Sequence, residues 1–384
     1  MTRPPLVDAA APVRIVLVGA GLMGRAWLGA LDRSQDAEVV GIVDLDQDLA
    51  RAAADEAGLP GLVVGTSVTS VAEATGAHAI VNVTVPAAHL PIADEALSAG
   101  LSVLSEKPLA PTVAAALLSA AAADRAGRLL MTSQNRRYYD SLTAYRAALG
   151  EIGEIALLTT EYTREAHFPG FRETMAHPLL VDMAIHAFDV ARHLLGTDPV
   201  SVTCDTSNPP WSWFEGDSVA NALFEFEGGA RYRYTGTWTT RGLETSWNGA
   251  WRASGSHGSA TWDGETALAL ERVDPATGES TGLESPPLRT TSPEEIDGSL
   301  ADFVDALRTG RTPDTEAHRN ILSLAMVEAA VRSADTGRRI EVADVLEDAY
   351  ATALTTDAPQ HLREALASWG SVSAGLHLHQ TVDA

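Results

Sequence analysis

The sequence predicts an α/β chain in two parts: a doubly wound parallel sheet, then an α+β part with a large, mostly antiparallel open sheet. Three observations predict it. Short apolar runs alternate with alanine-rich helical stretches from Val13 to about Leu149. A glycine-rich turn follows the first of these runs. From about Glu151 the texture shifts to alternating apolar and polar stretches, the period of half-buried strands.

The elements follow in order. Val13–Val18, Glu38–Asp44, Ala79–Thr84, Leu101–Ser105 and Leu129–Met131 read as strands. Leu22–Arg33, Asp46–Ala57, Ala88–Ala99 and Thr112–Ala126 read as the helices between them. Ile155–Arg164 is a further strand, followed by a loop with Gly170, His177 and Pro178. An amphipathic helix is expected over Leu179–Leu195, with Pro178 suited to its start and Gly196 to its stop. Ser201–Asp205, Ser218–Glu225, Ala230–Trp238, Ser246–Gly255 and Ser259–Trp262 supply the antiparallel sheet. Residues 274–295 read as a surface loop, and Leu300–Arg308 and Glu316–Thr336 as helices. The domains expected are 13–135, 136–345 and an extension over 346–384, helical at first and then a polar tail that includes His377 and His379.

Composition narrows the function. A length of 384 residues suits two domains. A net charge of −24 argues against nucleic acid as a partner. No apolar run reaches the roughly 18 residues of a membrane span. Met1–Pro12 has one arginine and no long apolar stretch, so Ile15–Val18 reads as a core strand and not a signal peptide; a cytoplasmic protein is expected. The single cysteine, Cys204, excludes an intrachain disulfide and a cysteine-based zinc site. Of 27 basic residues only Lys107 is a lysine.

The run Val13–Gly24 is a strand, then Gly19, Gly21 and Gly24 with Leu22 and Met23 among them, then a helix. This is a Rossmann fingerprint: the glycines permit a tight turn, backbone approach to a pyrophosphate and close helix–strand packing, and the helix N-terminus faces the phosphates. Asp44 ends the second strand about 20 residues on, where a carboxylate accepts the ribose hydroxyls and repels a 2′-phosphate. NAD is therefore expected over NADP, and Asp46 reads as the next helix's N-cap.

The fifth strand ends in Ser105-Glu-Lys-Pro108, at the end of an open sheet where ligands gather. An ammonium there can stabilise an alkoxide as hydride leaves. In the later helix, Asp182-Met-Ala-Ile-His186 sets an aspartate and a histidine four apart, on one face of an α-helix, with Asp189 and His193 continuing the stripe. His186 suits a general base and Asp182 its orienter or a hydroxyl ligand. The competing reading is a polar face turned to solvent; no third ligand supports a metal.

GAGLMG at 19–24, Asp44, Val81–Pro86 with His89, SEKPLA at 105–110, Asn135-Arg-Arg137, GEIGEI at 150–155 and DMAIH at 182–186 occur in one order. Together they resemble the Gfo/Idh/MocA family, the glucose-fructose oxidoreductase and inositol dehydrogenase type. The resemblance implies Lys107 as catalytic lysine, Asp182 and His186 as the substrate and proton-transfer pair, and Pro86, His89, Glu106 and Lys107 along the cofactor. It implies a small neutral sugar or polyol as substrate, and a homodimer or homotetramer through the second sheet. Ala184 stands where many members have glycine, and His177-Pro178 departs from a glycine-rich pattern. Arginine does not usefully give up a proton near neutral pH but a desolvated lysine does, so the one lysine sits where that distinction matters. Tyr162, Arg164 and His167 are further substrate-pocket candidates. Six of the eight tryptophans fall in 211–262, where core or interface packing is the ordinary role. The expected function is NAD-dependent oxidation of a secondary alcohol. The alternatives are an NADP-linked keto-sugar or dicarbonyl reductase and a non-catalytic dinucleotide-binding regulator.

Overall fold

A computed structural model describes residues 7, 11–288 and 292–378; His379 and the rest of the polar tail lie outside the described residues. The chain divides into two compact units, 1–135 with 293–321 and 346–384, and 136–292 with 322–345. Both units are discontinuous in sequence, which a linear reading of domains does not anticipate.

In the first unit, β1 (Val13–Val18), β2 (Ala37–Val43), β3 (Val63–Gly65), β4 (Ala79–Asn82), β5 (Ser102–Glu106) and β6 (Leu130–Ser133) form one sheet in the order β3-β2-β1-β4-β5-β6. Every pairing is parallel. The order reverses after β1, which places a switch point between β1 and β4. β1 is buried almost throughout, as a strand covered on both faces must be. The crossovers are α1 (Leu22–Arg33), α2 (Gln47–Glu56), α3 (Val68–Thr75), α4 (Pro86–Ser98) and α5 (Val113–Ala126). β3 and α3 are the elements of this unit with no clear mark in the sequence; β3 is only 3 residues long.

In the second unit, α6 (Asp140–Glu151) precedes β7 (Ile155–Thr163). The helix expected over 179–195 is two segments: a π-helical stretch, Leu179–Ala184, then α7 (Ile185–Leu195). A spacing of four places Asp182 and His186 on one face only in α geometry, and at Asp182 the wider π turn replaces it. The sheet continues through β8 (Pro199–Ser207), β9 (Val219–Phe226), β10 (Arg231–Thr237), β11 (Ala250–Gly255), β12 (Gly258–Trp262), β13 (Leu268–Val273) and β14 (Ser280–Glu284). β14 lies inside the stretch read as a surface loop. α8 (Glu295–Thr309) belongs to the first unit, and α9 (Ala317–Thr336) and β15 (Ile340–Glu341) follow. The nine strands run β14-β13-β12-β11-β7-β10-β9-β8-β15, antiparallel except for the β7–β10 pair. Phe188, Phe224, Tyr232 and Tyr234 are fully buried under α7, with Phe188 edge-on to the other three rings.

The polar stripe of α7 is buried at His186 and Asp189 and half-exposed at His193. Asp189 is 1% exposed. It pairs with Arg137 through two bonds, Nε–Oδ2 2.6 Å and Nη2–Oδ1 2.8 Å, and accepts from Ser323 Oγ at 2.7 Å. Burial opposes its ionisation, but the Arg137 guanidinium outweighs that and holds the carboxyl below its ordinary range.

The extension is packed into the first unit as α10 (Val342–Thr355, from Leu346 on), α11 (Gln360–Ala367) and α12 (Val372–Gly375). Leu362, Leu366, Val372 and Leu376 are buried. His318 closes this region: Nδ1 lies 2.8 Å from Glu316 Oε1 and Nε2 3.0 Å from Asp124 Oδ2, the atom that also accepts from Trp369 Nε1 at 2.9 Å. Burial disfavours the imidazolium, yet the charges of Glu316 and Asp124 overcome it and push the ring up to about 10. The folded value is raised above the unfolded one, so this contribution is complete below about pH 6.5 and is lost as pH rises toward 10. His318→Asn is expected to destabilise the protein by about 3 kcal/mol at pH 6, with the gap to wild type closing by pH 10. Chemical denaturation at the two pH values measures it; a gap unchanged with pH would refute the assignment.

Candidate active site

The first unit presents a cradle at the carboxyl ends of β1, β2 and β4. Gly19 takes φ +103°, a conformation open to glycine and costly for other residues. A Cβ on Gly24 would collide with the Gly19 carbonyl, so α1 approaches β1 as closely as it does only with glycine there. Over Gly21 a Cβ would meet no protein atom within 4 Å, and no side chain caps the α1 N-terminus. Three large apolar side chains stand exposed at these strand ends: Leu22 at 86%, Leu45 at 92% and Val85 at 66%; Met23 is also exposed. Exposed apolar groups beside an uncapped helix start fit a dinucleotide, whose rings need apolar walls and whose phosphates need N–H donors.

Asp44 is fixed by two backbone bonds, Ala20 N–H to Oδ2 at 2.8 Å and Asp46 N–H to Oδ1 at 2.9 Å. Asp46 caps α2, accepting from Asp48 and Leu49 N–H at 3.0 Å. Three carboxylates, Asp44, Asp46 and Asp48, therefore sit at one strand end, hostile to a 2′-phosphate.

At the end of β5, Glu106 is held by two donors: Trp27 Nε1–H to Oε1 at 2.9 Å and the Lys107 backbone N–H to Oε2 at 3.1 Å. Burial pushes this carboxyl up, and Trp27 and the Lys107 charge act against it. The Lys107–Pro108 bond is cis. Pro86 opens α4 at its first turn, one residue after exposed Val85. His89 was expected along the cofactor; it is 1% exposed, and both ring nitrogens face protein carbonyls.

In the second unit, His186 is 9% exposed and lines a cavity with Tyr162, Arg136, Asn248, Trp247 and Met183. The cavity encloses about 10 Å³, room for one water. Arg136 Nη1 donates to Asn248 Oδ1 at 2.8 Å and to Tyr139 Oη at 3.1 Å. Tyr162 is buried and accepts from Trp238 Nε1 at 3.3 Å; burial raises its hydroxyl. Asp182 binds Arg172, Nε–Oδ2 at 2.7 Å and Nη2–Oδ1 at 3.4 Å, and the Arg172 guanidinium lies over the Phe171 ring. Arg172 and Asn248 carry no signal in the sequence reading, and Arg136 enters it only within the Asn135-Arg-Arg137 motif, without a role. Arg164 donates to Thr245 O at 2.9 Å, pairs with Glu244 at 3.0 Å and lies over Trp247. His167 is exposed and stacks on Trp213 with centroids 3.7 Å apart. The tryptophans divide: Trp238, Trp251 and Trp262 are core, whereas Trp211 and Trp247 are partly exposed. Among the described residues no group of three or more metal-ligating side chains is found, and no helix is long and apolar enough to cross a membrane.

A dinucleotide cradle on a doubly wound sheet, with a glutamate–lysine–proline turn at the next strand end, defines a nicotinamide-dependent oxidoreductase. The sequence model described as oxidoreductase family, NAD-binding Rossmann fold, matches residues 13–134, and that of the Gfo/Idh/MocA C-terminal domain matches 146–261. The two models together span more than half the chain, and the protein is a member of the Gfo/Idh/MocA family of NAD-binding oxidoreductases. It is 28% identical over 344 residues to inositol 2-dehydrogenase of Rhizobium meliloti (strain 1021), covering 86% of this chain and 99% of that one. It is 28% identical over 358 residues to D-apiose dehydrogenase of Paraburkholderia graminis, covering 88% and 92%. In fold it matches an oxidoreductase from Agrobacterium radiobacter, solved with NAD+, L-tartaric acid and magnesium, at a TM-score of 0.77 and 21% identity over 88% of this chain and 100% of that one.

Proposed function

We propose that the protein is an NAD-dependent dehydrogenase that oxidises a secondary alcohol of a sugar, inositol or related polyol. The observation that carries this reading is the Glu106-Lys107-Pro108 turn at the end of β5, with Glu106 held by Trp27 and the Lys107 N–H, on the same sheet as the dinucleotide cradle. Relatives named for inositol and apiose support a polyhydroxylated substrate. A bound nicotinamide would supply the acceptor for the hydride of the substrate carbon. Lys107 donates a hydrogen bond to the reacting oxygen and stabilises the charge that develops there. His186 accepts the alcohol proton as general base. Asp182 binds a substrate hydroxyl, its carboxylate oriented by Arg172. Gly19, Gly21, Leu22, Met23 and Gly24 would hold the pyrophosphate, and Pro86 and Glu106 would lie along the cofactor. Tyr162 shapes the substrate wall. The Arg164 and His167 contacts support roles in holding the loop around that wall.

Asp44 selects NAD. Asp44→Ala is expected to weaken NADH binding by about tenfold or more, through loss of charge-assisted bonds to the ribose, and to narrow the preference over NADPH. Fluorescence titration with both nucleotides measures this; an unchanged NADH/NADPH ratio would remove Asp44 from the role. The exposed face of the nine-stranded sheet, with Leu157 and Leu223 on it, is the surface through which we expect self-association. Sedimentation of wild type and Leu223→Glu tests it, and a monomeric wild type contradicts it.

A further inference from the structure

Each ring nitrogen of His89 faces a backbone carbonyl, and the backbone of Leu109 lies close by. Nδ1 lies 2.8 Å from Pro108 O, and Nε2 lies 3.0 Å from Thr84 O. Thr84 is in the turn between β4 and α4; Pro108 directly follows Lys107. The ring therefore ties together the turns at the carboxyl ends of β4 and β5. On the other side of Lys107, its backbone N–H is held by Glu106 Oε2, and Glu106 is held by Trp27 of α1. The lysine backbone is bracketed by one anchor from α1 and one from α4.

A lysine has a flexible four-carbon stem, so the placement of its ammonium depends first on how rigidly its backbone is set. We infer that His89 is a positioning residue: its imidazole clamps the Pro108 and Thr84 carbonyls and so fixes the Lys107 backbone, without itself touching cofactor or substrate. A protonated ring donates to both carbonyls at once. A neutral ring donates to one and turns a lone pair toward the other. Burial lowers the ring's affinity for a proton, and hydrogen bonding with the backbone of Thr84, Pro108 and Leu109 raises it, with burial the larger effect. In either state at least one of the two turns is tied to the ring by a hydrogen bond, and the other carbonyl lies against it. A side chain at this position needs reach and at least one N–H.

The sequence supplies an unusual probe. Lys107 is the only lysine, so protein grown with lysine ¹³C-labelled at the ε carbon gives one lysine resonance. In wild type this resonance is expected to be single and narrow. In H89L, which cannot donate, it is expected to broaden or split, with NADH affinity within about twofold of wild type. H89Q, whose amide carries N–H donors at similar reach, is expected to restore the single line. Should H89L not fold, H89N replaces it, its shorter amide reaching at most one carbonyl, with the same expectation as H89L. An unchanged lysine line in H89L or H89N overturns the inference. So does a tenfold or greater loss of NADH affinity in both H89L and H89Q with the line unmoved, which would assign His89 to the cofactor. The functional weight of the clamp rests on the reading of Lys107 as the catalytic lysine. The two fail separately: turnover that survives in Lys107→Met sinks that reading, whereas an unmoved resonance sinks the clamp.

Discussion

Lys107→Met is expected to lower kcat by about a thousandfold while leaving NADH affinity within about threefold of wild type. Methionine keeps most of the stem's volume and removes the ammonium, so the loss reports charge and not packing. An oxyanion donor acts on the alkoxide-like oxygen, whose charge peaks once the hydroxyl proton has gone and falls as the hydride leaves, and its removal therefore falls on kcat more than on KM. Lys107→Arg is the sharper control. Arginine keeps the charge but places it differently and cannot usefully release a proton near neutral pH, so it is expected to recover only a small part of the loss. Full recovery with arginine would reduce Lys107 to a simple electrostatic contact.

His186→Asn is expected to lower kcat for alcohol oxidation by about a hundredfold or more. An imidazole base takes up the alcohol proton, whereas asparagine preserves a polar contact without that basicity. Steady-state kinetics of both proteins with NAD and a polyol measure the effect. A variant that keeps wild-type kcat would transfer the base role to another group.

The parts of this account that were legible in the sequence are the local ones. The turn Gly19–Gly24 is specified by neighbouring residues alone, because each glycine answers a constraint within one strand–turn–helix unit. Asp44 at a strand end and Asp46 at a helix start were legible for the same reason. What could not be read were pairings that chain topology creates. Arg136 and Asn248 meet across 112 residues, and Asp124 and His318 across 194. Asp189 looked like part of a solvent-facing stripe because nothing near it in sequence announces Arg137 and Ser323 as partners. The π turn at Asp182 also escaped, since hydrophobic spacing does not separate one wide turn from the α-helix that follows it. His89 was read from its motif as a cofactor neighbour, whereas its burial and two carbonyl contacts depend on how the β4 and β5 turns come together.

The most direct test of the central claim is nicotinamide absorbance with NAD, then NADP, across a panel of inositols, monosaccharides and glycosides, with wild type and Lys107→Met side by side. The account predicts turnover of at least one polyol with NAD, weaker turnover with NADP, and collapse of both in the variant. Binding of NAD with no turnover of any polyol, in either direction, would contradict it.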